Sequence, residues 1–214
     1  SQADPSAQNF PISDANINQW KAEAEAGGVI SGNYTLTNGA TDSLGPTKIT
    51  GNMVLDNNVT LTLTGTVWVQ GTITISNNVI VKLDTGYGAD GGVMLADGYI
   101  NLSNNTAFQG SGQATSYFLL VGTNDCDGIT SPTGLSCTTA NSAIEVGNNV
   151  GSVIIYGSRG QVHLSNNAGA KEVTGYKLAL DNNAVVTYET GLANANFSSG
   201  PGGGFQINSW KEIE

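Results

Sequence analysis

The chain has one histidine, His163, and eighteen residues before it stands Glu145 in a matching context: "AIEVGNN" and "QVHLSNN" align on their Asn pairs. If the two stretches are neighbouring strands, carboxylate and imidazole lie roughly 5 Å apart. That spacing suits an acid–base dyad and equally suits a surface ion pair of under about 1 kcal/mol. No nucleophile or oxyanion donor is identifiable beside them. "NDCDG" sets Asp125 and Asp127 two apart before a glycine, faintly like a calcium loop, but the closing Glu of an EF-hand is absent. One His and two Cys are too few for a zinc site. Tyr87 and Tyr99 are the aromatics placed to meet an extended polymer on a shallow face. No cofactor or metal is called for.

Charge narrows the partners. Seven basic residues stand against seventeen acidic ones, for a net charge of −10, and the basic residues are scattered singly from Lys21 to Lys211. A phosphate-binding surface needs Lys and Arg clustered, so nucleic acid is not a partner. No run of apolar residues is long enough to span a bilayer, and no direct membrane contact is expected of this chain. Cys126 and Cys137 bracket "DGITSPTGLS", a stretch of turn-formers and small residues. A disulfide closing that loop contributes about 3 kcal/mol in the chain-entropy model and implies an oxidising, extracytoplasmic compartment. The alternative is two free buried thiols.

The elements that must position these residues are written as a repeat. An Asn pair occurs six times, at Asn57-Asn58, Asn77-Asn78, Asn104-Asn105, Asn148-Asn149, Asn166-Asn167 and Asn182-Asn183. Two residues before each pair stand Leu55, Ile75, Leu102, Val146, Leu164 and Leu180. Four before stand Met53, Ile73, Ile100, Ile144, Val162 and Leu178. All are apolar, the period-2 mark of a strand with one buried face. The residues between them, Val54, Thr74, Asn101, Glu145, His163 and Ala179, point outward. Each copy holds about three short strands separated by Gly turns. Variable spacing with local insertions is a solenoid signature.

The pattern predicts an all-β fold, a single right-handed parallel β-helix (β-solenoid) of about seven coils, roughly 30 to 35 Å tall. One Asn of each pair takes the left-handed corner. The other faces inward as an amide ladder, with Asn57, Asn77, Asn104, Asn148, Asn166 and Asn182 as its members. The alternative is an antiparallel sandwich with six exposed turns. Residues 1–30 form an arm and a capping helix, in which Ser13 is the N-cap, Ile12 and Ile17 a hydrophobic staple, and Ile17, Trp20 and Ala24 the stripe that covers the first coil. Residues 31–214 form the solenoid, with a disulfide loop at 122–142 and a closing strand carrying Phe205, Ile207 and Trp210.

Parallel β-helices often host enzymes acting on acidic polysaccharides. Their clustered carboxylates with Arg or Lys find no match here, since the only Arg is Arg159. A flat Thr array for ice binding begins at Thr60, Thr62 and Thr64 and fails, because the column through Thr62 continues as Lys82, Gln109, Val153, Lys171 and Thr187.

The repeated "SNNA" and "DNNV" corners, with the closing segment that runs from "AGAKEVTGYKLALDNNAVV" to "GGGFQINSWKEIE", resemble the distal β-solenoid part of bacterial surface proteins of the type IV pilin-like class. The resemblance covers the chain from Gly32 onward and rests on structural motifs, so it carries over no functional residue. It implies surface display. The expected function is a non-enzymatic extracellular structural or adhesion domain, pilus-associated, binding a polysaccharide or another surface protein. The alternative is a divergent polysaccharide lyase or hydrolase using Glu145, His163 or nearby carboxylates.

Overall fold

The computed structural model describes residues 10–188, 196–200 and 203–206. Within them the chain is all-β with mostly parallel strands, apart from one N-terminal α-helix, α1 (Asp14–Gly27). Strands β1 (Val29–Ile30), β2 (Tyr34–Thr37) and β3 (Thr41–Leu44) make the first turn of chain, and β4 (Thr47–Ile49), β5 (Met53–Asp56) and β6 (Thr60–Leu63) the second. β7 (Val67–Val69), β8 (Ile73–Ser76) and β9 (Ile80–Leu83) follow, then β10 (Gly91–Ala96), β11 (Ile100–Leu102) and β12 (Ala107–Gln109). Up to this point each strand pairs in parallel with the strand three places on, as in Val29↔Lys48, Tyr34↔Met53 and Thr41↔Thr60. The path is therefore three-sided and solenoid-like.

The fifth turn has β13 (Phe118–Gly122) and β14 (Ile144–Val146) on the first two faces. β15 (Val153–Leu164) and β16 (Gly169–Leu180) each run through both of those faces without a break, which joins them into one sheet. β17 (Val185–Val186) pairs with the start of β16.

The interior is the sum of the inward columns. Ten of the twelve apolar positions before the Asn pairs, Met53 and Leu55 through Val162 and Leu164, are fully buried. Leu178 and Leu180 in the last turn are half exposed, at 49% and 52%. Burying one such side chain contributes about 1.5–3 kcal/mol, so the stack is held mainly by these columns.

Two corners fix the coil spacing. At the first, Gly32, Gly51, Gly71 and Gly98 stack with each N–H donating to the carbonyl of the glycine before it, at 2.9, 3.0 and 2.9 Å. A Cβ on Gly71 or on Gly98 would stand 2.6 Å from that carbonyl oxygen, so only glycine lets the coils close. At the second corner, both Asn residues of all six pairs are left-handed, with φ between 47° and 65°. The N–H of the second Asn donates to the carbonyl of the first Asn one coil on: Asn58 to Asn77, Asn78 to Asn104, Asn105 to Asn148, Asn149 to Asn166 and Asn167 to Asn182. Gly39 donates to Asn57 in the same way, and Asn38 and Gly39 also have positive φ. Thr37-Asn38-Gly39 is thus the first coil's copy of the corner, hidden from a search for Asn pairs by its glycine.

The side chains at this corner differ from the expected inward ladder. Both Asn of a pair lie on the outer surface. The first Asn of the pair forms one column, with Asn104 Nδ2 donating to Asn77 Oδ1 and Asn148 Nδ2 to Asn104 Oδ1, each at 3.0 Å. The second forms another, with Asn105 donating to Asn78 at 3.1 Å and Asn149 to Asn105 at 3.0 Å. Two left-handed residues in succession turn both side chains outward, and Val59, Val79, Thr106, Val150 and Ala168 right after the pair return to the core.

The helix is also placed differently. Ser13 caps it as expected: its hydroxyl accepts from the Asn16 N–H, and the Asn16 side chain accepts from the Ser13 N–H. Rather than covering the first coil, α1 lies along the outer side of the first face. Ile12, Ile17, Trp20 and Ala24 pack there with Trp68, Val93, Leu95, Leu119, Val121, Ile154 and Tyr156 as a second core. A helix of 14 residues is about 21 Å long at 1.5 Å per residue, matching four coil spacings of about 4.8 Å. The Tyr156 hydroxyl donates to the Ile12 carbonyl at one end, and Lys48 pairs with Glu25 at the other. Midway, Asp97 accepts from Lys21, from Trp68 Nε1 at 3.0 Å and from Thr123 at 2.9 Å. The first-face strands, covered on both sides, consequently read as continuous apolar runs such as "VWV" and "FLLVG".

β18 (Asn196–Gly200) returns to pair with the start of β10, Phe197 opposite Gly91, and forms a hairpin with β19 (Gly203–Gln206). In these residues the C-terminal region therefore flanks the first face beside α1, not the last coil as expected. Ile207 and Trp210 lie outside the described residues.

Replacing Gly71 with Ala is expected to destabilise the fold by about 1–3 kcal/mol, because the new Cβ forces backbone apart. Gly39→Ala, where no atom lies within 4 Å and only the positive φ is strained, is expected to cost about 1 kcal/mol. Urea midpoints of the two variants give the comparison.

Candidate functional site

Face two brings the acid–base candidates together. Glu145 and His163 are register partners on adjacent strands, as the spacing predicts, yet they do not form the close pair. His163 Nε2 lies 2.9 Å from Asp181 Oδ2, in the next coil, while Glu145 accepts from Thr139 Oγ1 at 3.4 Å. The diagonal contact wins because Asp181 follows directly on β16, two residues beyond the strict register partner Ala179. Asp181 was missed because it lies beside the last Asn pair, outside the outward column through His163. His163 Nδ1 is buried without a partner among the described residues.

The loop at 122–142 carries the second candidate set. Cys126 and Cys137 form a disulfide, with Cα atoms 5.7 Å apart. Both aspartates are engaged by the loop itself. Asp125 accepts from the Ser131 hydroxyl and from the Thr133 N–H at 3.0 Å; Asp127 Oδ1 accepts from the N–H groups of Ile129 and Thr130, each at 3.0 Å. For Asp125, slight burial raises the pKa, but the bonds from Ser131 and Thr133 outweigh it and hold the carboxyl below its usual range. For Asp127 the backbone donors Thr130 and Ile129 lower it. These are turn-closing carboxylates, and no group of three or more metal-ligating side chains occurs among the described residues.

The loop folds back along the stack. Gly128 sits over Gln161 so closely that a Cβ there would stand 2.2 Å from Oε1, and Lys177 Nζ donates to the Asp127 carbonyl at 3.1 Å. It therefore spans the fifth to seventh turns, and Ile129 at its tip is 75% exposed.

Of the two candidate aromatics, Tyr99 is half buried and Tyr87 is buried in the interior. Tyr87 belongs to a short 3-10 turn, Thr85–Tyr87, within "DTGYGADGG", which folds the ring under Gly92. Burial, then the charge of Asp84, pushes its phenol above the ordinary value. Tyr87 is thus a packing residue, since the seven residues between β9 and β10 are enough to tuck its ring inside. On face three the column through Thr62 meets Lys82 and then Gln109, as expected. Beyond that Val153 is fully buried, not outward: it follows Ser152, whose φ is 68°, and opens β15, which continues directly onto face one with Ile154 opposite Leu119. A shallow depression of about 420 Å³ lies on this face, lined by Thr41, Asp42, Ser43, Thr60, Thr62 and Lys82.

One titratable group was not anticipated. Glu172 opposes Ile154 on the outer side of face one, and its Oε2 is buried without a partner among the described residues. Burial pushes its pKa from 4.5 up to about 7. No sequence signal marked it, because a register shift, not the Asn-pair spacing, determines where it points.

No family model, no curated protein and no solved structure matches this chain.

The neutral form of Glu172 is favoured on folding, so the folded chain takes up a proton between pH 4.5 and about 7 and its contribution to stability falls as pH rises through that window. Melting temperatures of Glu172→Gln are expected to exceed those of the parent at pH 8 and to converge with them near pH 5. In a second measurement, replacing Cys126 and Cys137 by Ser is expected to lower unfolding free energy by about 3 kcal/mol, read from urea denaturation.

Proposed function

We propose that the chain is a non-enzymatic extracellular structural and adhesion domain. In this reading it is a single right-handed parallel β-helix of about seven coils, with an asparagine ladder at one corner and α1 as a lateral brace. The rod holds out a disulfide-stapled loop to a polysaccharide or to another surface protein. The observation that carries the reading is how the chemistry-bearing side chains are engaged. Asp125 and Asp127 close the loop, Asp97 fastens the helix, and Asp181 holds His163 between consecutive coils. Each is tied to a structural partner.

The disulfide supports an oxidising compartment, and no helix among the described residues is long and apolar enough to cross a membrane. The likeness to pilin-like surface proteins supports display on a bacterial surface. Insertions on solenoids are common places for binding, and the loop at 122–142 is the longest among the described residues.

The second reading, a divergent polysaccharide lyase or hydrolase, draws on one observation. A carboxylate 2.9 Å from the only imidazole resembles an orienting pair for a general base, with Glu145 beside it.

The purified chain, incubated with a panel of bacterial, plant and algal polysaccharides, is expected to co-sediment with at least one and to release no new reducing ends or unsaturated products. Replacing the loop between Cys126 and Cys137 by a short Gly-Ser link is expected to abolish that binding. Product release that disappears in Glu145→Gln or His163→Ala would establish the enzyme reading instead.

A further inference from the structure

The two ends of the stack are finished differently. In the first turn Asp42 occupies a position in register with the buried Leu61. Its carboxylate accepts from the Tyr34 hydroxyl at 2.7 Å and from the Ser43 N–H at 2.8 Å. An exposed carboxylate on the first strand of face three, bonded to a tyrosine, disfavours the addition of another strand there. Residues 29–44 hold this one acidic group and no basic one, so two such ends repel.

The seventh turn is the opposite. Of the ten large apolar side chains exposed among the described residues, six belong to it: Tyr176, Leu178, Leu180, Val185, Val186 and Tyr188. Leu178, Leu180 and Val186 sit in the columns whose earlier members, Val162, Leu164 and Ala170, are core. Beyond Ala170 the outer edge of β16 carries no strand among the described residues. An apolar end with unpaired backbone is an interaction surface.

Its charges identify the occupant. In a chain of net charge −10, residues 168–188 are balanced, with Lys171 and Lys177 against Glu172 and Asp181. Such an end can face a copy of itself without repulsion. The order Lys177-Leu178-Ala179-Leu180-Asp181 is moreover self-complementary when reversed. Antiparallel pairing about a two-fold axis at Ala179 sets Lys177 opposite Asp181 of the second copy and Leu178 opposite its Leu180, and opposite charges directly across strands are favourable.

We propose that the chain forms a tail-to-tail dimer through its last coil, β16 pairing antiparallel with β16 of a second copy about Ala179. The same axis brings β17 of each copy beside the first half of β16 of the other, closing the remaining edge. Two rods joined in this way point their first coils in opposite directions. The inference is independent of the ligand proposed above, and its failure leaves the polysaccharide result unchanged.

Sedimentation velocity of the full chain over a concentration series tests it. A reversible dimer is expected. Leu178→Lys should weaken it by at least about tenfold, equivalent to about 1.4 kcal/mol, without lowering the melting temperature of the monomer. Lys177→Asp should weaken it similarly, and adding Asp181→Lys to that variant should restore it. Ala179→Cys should give a covalent dimer on mild oxidation. A chain that stays monomeric throughout, or a dimer indifferent to Leu178→Lys and to the charge swap, overturns the proposal. So does a Leu178→Lys variant whose monomer melts lower with no dimer in the parent, since that places another segment of the same chain over this edge.

Discussion

At the Asn corner two consecutive residues take a left-handed backbone, and the second passes its N–H to the carbonyl of the first in the next coil. Every other feature of the stack presupposes that bond. It turns the chain out of face two and into face three at one fixed height per coil. It also lets the strands on either side stay in register through insertions of very different length, so that Asn105 bonds Asn148 across 42 intervening positions of sequence as readily as Asn167 bonds Asn182. Asparagine suits the role because it tolerates positive φ better than other side chains bearing a Cβ, and its amide can bond its counterpart one coil away. The glycine column at the opposite corner works by subtraction, removing the Cβ atoms that would hold the coils apart.

Stacking alone leaves face one with apolar side chains on its outer surface, and α1 resolves this. The helix is polar at its ends and apolar along Ile17, Trp20 and Ala24. It crosses several coils, so it ties them to one another as well as covering them. Lys48 stacks over the Trp68 ring at 4.4 Å while pairing with Glu25, which joins helix and sheet at one more point. The disulfide loop does the same for the later turns, reaching from β13 to Lys177. Charged groups in this molecule act mainly as fasteners between coils, which is why a chain with so few of them keeps a defined shape.

The parallel architecture was legible because Met53, Leu55 and their ten counterparts mark the buried face at fixed distances from an unmistakable corner. Face-two register followed from the same spacing, which is why Glu145 and His163 stand opposite each other on adjacent strands as expected. What the repeat does not encode was not legible. Tyr87 and Glu172 are placed by a bulge and by a register shift, both local departures from the period. Asp181 reaches His163 diagonally, a matter of side-chain length. The helix stripe showed that α1 covers something apolar, but two surfaces were available, and the spacing did not say that it is the outer side of face one, with Trp68, Leu95 and Leu119, that the helix packs on.

The most direct test of this account is native-state hydrogen exchange at the backbone amides of Gly39, Asn58, Asn78, Asn105, Asn149 and Asn167. These residues are exposed, yet each N–H donates to a carbonyl in the adjacent coil. Slow exchange, at rates close to those of the core strands, is the predicted result. Fast exchange at all six, as in solvated turns of an antiparallel sandwich, would contradict the stacked corner and the architecture that depends on it.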